Sequence, residues 1–329
     1  MKREFPAAAR AFCEQAGIRY PVIGGAMYPC SNPELTAAVS AAGGIGILQP
    51  VSLTYVHGHE YRAGIRLMRS LTDQPLGMNA LIEKSSQKYR DRMSEWIDIA
   101  LEEGIRFFVT SLGKPDWVAE RVHAEGGLVY HDVTELKWAE IGLDGGVDGL
   151  ICVNNRAGGH AGPKSMQVLY EELHQLGAPL VCAGGIGKGL DFWEALDLGY
   201  AACQLGTRFI ASSECLASSA YKQAVVDAGE SDIVLSERVT GVPLSVINTD
   251  FIKRSGTRLG WFARWMLSGN KTKHWMRMLI WLKSIWQLKH SSLDEKGGKD
   301  YWQAGKSVAA IDSVESCETI MQRLVAGEV

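Results

Sequence analysis

The stretch PLVCAGGIGKGLDFWEALDLGYAACQLGT, residues 179–207, carries two apolar runs separated by a segment of helical length. The first run, PLVCAGG (179–185), is apolar on both faces and breaks at paired glycines. GLDFWEALDLG (189–199) follows as an amphipathic segment that stops at a glycine. The second run, AACQLGT (201–207), is again apolar on both faces and closes on Gly206 and Thr207. Runs of this kind fit parallel strands covered by helices.

Six earlier runs repeat the pattern: YPVIGG (20–25), GGIGIL (43–48), PLGMNAL (75–81), IRFFVTS (105–111), GLVYHDV (127–133) and VDGLICV (147–153). Between them, NPELTAAVSAAG (32–43) opens with an Asn cap candidate and Pro at the first helical position and ends at Gly. KPDWVAERVHAEG (114–126) has the same outline. Eight β units joined by helices predict a (β/α)8 TIM barrel. The main competitor is a doubly wound sheet, whose signature is a GxGxxG after the first strand. GGAMYP (24–29) is not that motif.

The chain has 329 residues, enough for one large domain or a large and a smaller one. Lys+Arg 34 against Asp+Glu 37 leaves a net charge of −3, so nucleic acid is not an expected partner. Cysteines stand at 13, 30, 152, 182, 203, 215 and 317. No two are three apart, so neither a zinc site nor a redox dithiol is expected. The odd, scattered set predicts reduced thiols and a cytoplasmic protein. Cys152, Cys182 and Cys203 lie inside apolar runs, where free Cys is a small core residue. The N-terminus is charged and lacks a signal-peptide core. No apolar run approaches the ~20 residues of a spanning helix.

After residue 212 the alternation stops. Residues 250–292 hold nine Lys or Arg, five Trp and a single acid, Asp250. They read as two helices parted by SGN (268–270), within a smaller, mainly helical cap domain at 213–300. The barrel would then comprise 1–212, completed by 301–329. Residues 251–293 contain no acid. One reading is a docking face for an anionic partner: acyl carrier protein, coenzyme A or a membrane surface. The other is a packed cap with solvated Lys and Arg, its apolar stripes formed by Trp261 with Trp265 and Met278 with Leu282.

In such barrels the site lies at the C-terminal ends of the strands. Gly184, Gly185 and Gly187 follow the seventh run, with a helix start near Leu190, and Gly206-Thr207 follows the eighth. Loops in these two places often bind phosphate, and a helix N-terminus adds to the attraction. The alternative is tight turns alone. The sixth run leads to Ala157-Gly158-Gly159-His160-Ala161-Gly162. Flanking glycines let a flat ligand approach, and a histidine suits proton transfer. A structural role for His160 weighs about equally.

AGGHAG (157–162), LVCAGGIGKGLDFWEALDLGYAACQLGTRF (180–209) and PVIGGAMYPCSNPELTAAVSAAGGIGIL (21–48) together resemble the nitronate monooxygenase, or 2-nitropropane dioxygenase, family. That family is similar to the flavin-type enoyl-ACP reductases. The resemblance covers about 18–212 and returns at YWQAGKSVAAI (301–311). It implies an FMN-binding (β/α)8 barrel with a small helical cap, oxidising alkyl nitronates or nitroalkanes with O2. By resemblance, FMN contacts Gly25, Ala26 and Met27, Asn79 meets its ring, and Gly158 and Gly159 line its approach. Its phosphate sits on Gly184, Gly185, Gly206 and Thr207, and His160 is the acid/base beside the ring.

Gly24-Gly25-Ala26-Met27 stands where Gln-Ala-Pro-Met is usual, and Asn154-Asn155-Arg156 where a Gly and an acid are commoner. These departures leave FMN intact and the substrate open. Arg156 is a candidate for attracting an anionic substrate, or forms a surface ion pair. His131 with Asp132 is a second polar pair at the site, or a satisfied structural pair. A second enzyme reading has NAD(P)H reduce FMN, which then reduces a quinone or an enoyl thioester. A third, non-redox reading is a phosphometabolite-binding or docking protein. A small-molecule substrate, O2 and a second copy in a homodimer complete the candidate partners.

Overall fold

Eight strands pair in chain order, all in parallel, and the eighth closes onto the first. They are β1 (Val22–Gly24), β2 (Ile45–Leu48), β3 (Leu76–Leu81), β4 (Phe107–Ser111), β5 (Leu128–Val133), β6 (Gly149–Val153), β7 (Leu180–Ala183) and β8 (Ala202–Leu205). Each lies inside the run the sequence assigns to it, and the protein is a (β/α)8 barrel. The computed structural model describes residues 3–83, 87–238, 241–258, 287–295 and 300–328.

Helices α1 (Ala7–Ala16), α2 (Pro33–Ala41), α3 (Tyr61–Leu71), α4 (Gln87–Glu102), α5 (Asp116–Ala124), α6 (Leu136–Asp144), α7 (Met166–Leu173) and α8 (Gly189–Leu198) surround the strands. Alternate strand residues face opposite ways. Ile23, Ile47, Val109, Tyr130, Ile151 and Val181 form one apolar cluster on the barrel's inner face. Leu150, Cys152, Cys182 and Cys203 pack on the outer face, against the helices. The three expected core cysteines are therefore core residues, and all seven cysteines are buried free thiols. Phe12 of α1 plugs the N-terminal end of the barrel, edge-on to Phe107 and Tyr130 at 6.1 and 5.5 Å between centroids. The other end is left for a site.

Past β8 the chain forms α9 (Thr207–Ile210) and α10 (Ser219–Asp227). It then makes an antiparallel pair, β9 (Ile233–Ser236) with β10 (Leu244–Ile247), before α11 (Asp250–Ser255). Residues 287–293 are helical. The described part of 213–300 thus adds a short strand pair to its helices. Each of its two strands is only four residues long and lies outside the strand-helix alternation, so the periodicity gave no warning. Trp261, Trp265, Met278 and Leu282, and with them most of the 251–293 face, lie outside the described residues.

The segment after 300 returns along β10. Ile247 N–H donates to Trp302 O at 2.9 Å, and Trp302 stacks on Tyr221. The C-terminal helix, Cys317–Ala326, buries Cys317, Ile320, Met321 and Leu324 against α8 and α2. Buried Arg208 donates to Ser313 O at 2.9 Å and pairs with Glu315, tying this segment to the end of α9.

Candidate active site

Four chain segments meet at the C-terminal ends of β6, β7 and β8. Asn154, fully buried, follows β6 and clamps two of them. Its Nδ2 donates to Gly184 O at 2.8 Å, and its Oδ1 accepts the Arg156 N–H at 2.8 Å. Gly184 has φ +116°, and a Cβ there would sit 2.5 Å from Asn154 Oδ1, so the clamp requires glycine. A Cβ on Gly158 would lie 3.0 Å from Gly305 N and 3.4 Å from Thr207 Oγ1. Thr207 Oγ1 accepts the Gly305 N–H at 2.9 Å, joining the β8 loop to the returning segment. The β1 loop closes the ring: Gly25 N–H donates to Leu205 O at 2.9 Å, and Met27 lies beside Gly206. Gly25, Met27, Gly158, Gly184, Gly206 and Thr207 are therefore brought together, with Gly185 and Ala26 next in chain. Gly187 is not part of the cradle. Its N–H bonds Asp191 Oδ2 at 3.0 Å, and a Cβ there would strike Ser307 O.

The inner face of the barrel ends in a polar layer. Asn79 pairs in register with Val109, Asp132 with Ile151, and Gln204 with Ile23 and Ala183. Those partners face inward, so these three polar side chains face inward with them. Asp132 Oδ1 and Gln204 Oε1 are closed off from water and have no hydrogen-bond partner. Burial raises the Asp132 pKa to about 7, against a hydrogen bond from Gln204 that lowers it. Gln204 was missed from the sequence and Asp132 was weighed only as half of a pair. The parity of polar residues inside apolar runs would have found both.

His160 is exposed, yet the protein around it desolvates the imidazole and lowers its pKa. Its loop is pinned by β10: Ser245 N–H donates to Gly159 O at 2.8 Å, and Ala304 N–H donates to Ser245 O at 3.3 Å. Arg156 lies against Gly185 and donates from Nη1 to Glu230, with an N–O distance of 2.9 Å. Lys306 approaches the same carboxylate at 3.4 Å. The cation thus forms a half-exposed ion pair at the edge of the cradle. His131 is corrected. It points outward, packs on Gly142 of α6, and meets Thr110 Oγ1 at 2.8 Å from Nδ1. Burial lowers its pKa to about 4. A separate cleft of about 450 Å3 lies beyond the start of α8, bordered by Lys188, Arg208, Asp227 and Arg323. Arg208 and Arg323 are paired there with Glu315, and the cleft shares none of the cradle residues.

The family model for nitronate monooxygenase matches residues 10–327. The chain is 25% identical to the (3aS,4S,5R,7aS)-5-hydroxy-7a-methyl-1-oxo-octahydro-1H-indene-4-carboxyl-CoA dehydrogenase of Rhodococcus jostii, over 97% of this chain and 95% of that one. It is 26% identical to a probable nitronate monooxygenase of Staphylococcus saprophyticus, over 72% and 78% of the two chains. Among solved structures, FabK from Thermotoga maritima superposes with a TM-score of 0.78 at 25% identity, covering 96% of this chain and 95% of its own.

Proposed function

The chain belongs to the nitronate monooxygenase family and is a flavin-dependent oxidoreductase, and on that premise we propose that its flavin is FMN and that His160 is its catalytic base. The supporting observation is the cradle itself: glycine loops after β1, β6, β7 and β8 locked together, with His160 at their edge and unpartnered acceptors beneath. Gly184, Gly185, Gly206 and Thr207 would hold the phosphate, with Arg156 adding positive charge beside Gly185. Gly25, Ala26, Met27, Asn79, Gly158 and Gly159 would line the ring. Bound FMN supplies the two-electron acceptor.

The depressed pKa keeps the His160 imidazole unprotonated at neutral pH. It accepts the proton of a carbon acid on its unprotonated ring nitrogen. The clamp at Asn154 and the pin at Ser245 hold the backbone of the loop that carries it. A neutral nitroalkane is a carbon acid that such a base can deprotonate, and its nitronate is the anion that results. The first reading is therefore nitronate monooxygenase chemistry on nitroalkanes, with O2 as the final oxidant.

A second reading takes an acyl thioester of coenzyme A. It is favoured by the end-to-end similarity to a carboxyl-CoA dehydrogenase, against 72% coverage by the nitronate monooxygenase. The α-hydrogen of a thioester is also an acidic C–H. NAD(P)H as donor, with a quinone or an enoyl thioester as acceptor, belongs to this branch. The test begins with the absorption spectrum and the flavin released on denaturation, where FMN is expected. Anaerobic mixing with nitroethane, an acyl-CoA, NADH or NADPH follows. Bleaching by nitroethane alone selects the first reading, and bleaching by a thioester or a nicotinamide selects the second. A colourless protein that ignores added FMN rejects both.

A further inference from the structure

β5 and β8 each place one polar side chain, Asp132 and Gln204, on the inner face of the barrel among apolar partners. The two meet, the Gln204 side chain bonding the Asp132 carboxyl. Each still has one oxygen shut off from water with nothing to bond. A buried acceptor left without a partner is destabilising. Two such acceptors in contact, beside Gly25, mark a place where a ligand supplies hydrogen bonds. When Asp132 carries a proton, one of its oxygens donates while Gln204 Oε1 still accepts. The pair then presents a donor next to an acceptor. Its complement is an N–H next to a C=O, as in a cyclic imide. A phosphate dianion has no donor to offer, whereas the pyrimidinedione of a flavin holds an N–H and a C=O side by side in one rigid plane.

We propose that Asp132, in its acid form, and Gln204 together recognise the imide edge of the bound flavin from inside the barrel. This rests on the FMN reading above. Burial places the Asp132 pKa at about 7, so the donor is lost as pH rises past neutrality. The groups around Asp132 leave the response assignable. Gln204 faces it from β8, Ile151 from β6 and Tyr130 from two residues back on β5, and Ser111 ends the neighbouring β4. The Cys152 thiol on the outer face of β6 feels its charge, and His131 points away. Among the described residues, no cation and no second carboxylate acts on it.

The experiment measures FMN affinity from flavin fluorescence on diluting the holoprotein. Wild-type affinity is expected to fall roughly 10- to 50-fold between pH 7 and pH 9. Asp132→Asn, a permanent amide donor of the same shape, is expected to bind within a few-fold of wild type at pH 7 and to stay flat. His160→Asn should keep the wild-type fall. N3-methyl-FMN, which lacks the imide N–H, should bind wild type at least about tenfold more weakly than FMN. A flat wild-type profile, a fall retained in Asp132→Asn, or equal affinity for the methylated flavin overturns the proposal. The methylated flavin tests wild type alone, so the test stands even if the variant fails to fold. A protein that binds no FMN at any pH instead overturns the cofactor reading.

Discussion

A lowered pKa makes the His160 imidazole a base at neutral pH, so kcat/KM should rise with pH through a value below 6.5 and then level off. His160→Asn should keep bound FMN, abolish that limb, and lose roughly 10²–10⁴-fold in the proton-transfer step, measured by rapid mixing. The neighbours His131 and Asp132 oppose each other in stability. His131 goes from about 6.5 unfolded to about 4 folded, so the unfolded chain binds more protons and stability is lost as pH falls across that window. Asp132 goes from 3.8 to about 7, so the folded chain binds more protons and stability is lost as pH rises across it. The two slopes nearly cancel in the wild-type apoprotein. Asp132→Asn should uncover the histidine slope, gaining about 3 kcal/mol from pH 4 to pH 6.5 in chemical denaturation. A variant profile as flat as wild type would count against the buried histidine. The glycine-flanked loop that carries His160 was legible at a strand end, and its role stays a proposal. The ion-pair partner of Arg156, Glu230, was not legible because it is 74 residues away in sequence.

Strands and helices were legible because the barrel imposes its period on the chain: every apolar run holds a strand. Asn32 and Pro33 also mark the start of α2 as read, although the Asn32 side chain bonds Glu34 and Glu214 instead of capping its own helix. The β9–β10 pair escaped because its strands are four residues long, and the bridges from β10 to Gly159 and Gln303 reach a loop and the returning segment. What a sequence pattern cannot show is a contact between elements that share no period. The Asn154 clamp is one such contact. Asn154→Ala should cost about 1–3 kcal/mol and weaken FMN binding, since Gly184 O and the Arg156 N–H lose their partner. Ser245→Pro removes the N–H given to Gly159 O while leaving every cradle side chain in place. Amide exchange at 157–162 should then quicken, with kcat falling more than FMN affinity. Unchanged exchange would show that the loop is held by something else.

At the scale of the molecule, the barrel is sealed below by Phe12 and finished above by residues from the far end of the chain. Phe12→Ala should destabilise by about 3–5 kcal/mol in urea, leaving a cavity beside Phe107 and Tyr130. The upper seal has a different character. The histidine loop is made at residue 160, yet Ser245 and Ala304 hold it, and Thr207 waits for Gly305. A ribosome delivers these pieces in order, N-terminus first. A nascent chain can therefore lay down all eight staves and still have no finished rim. Flavin capture has to wait for the returning segment and not for the last strand. A stop codon anywhere before Gly305 should yield a chain that never turns yellow.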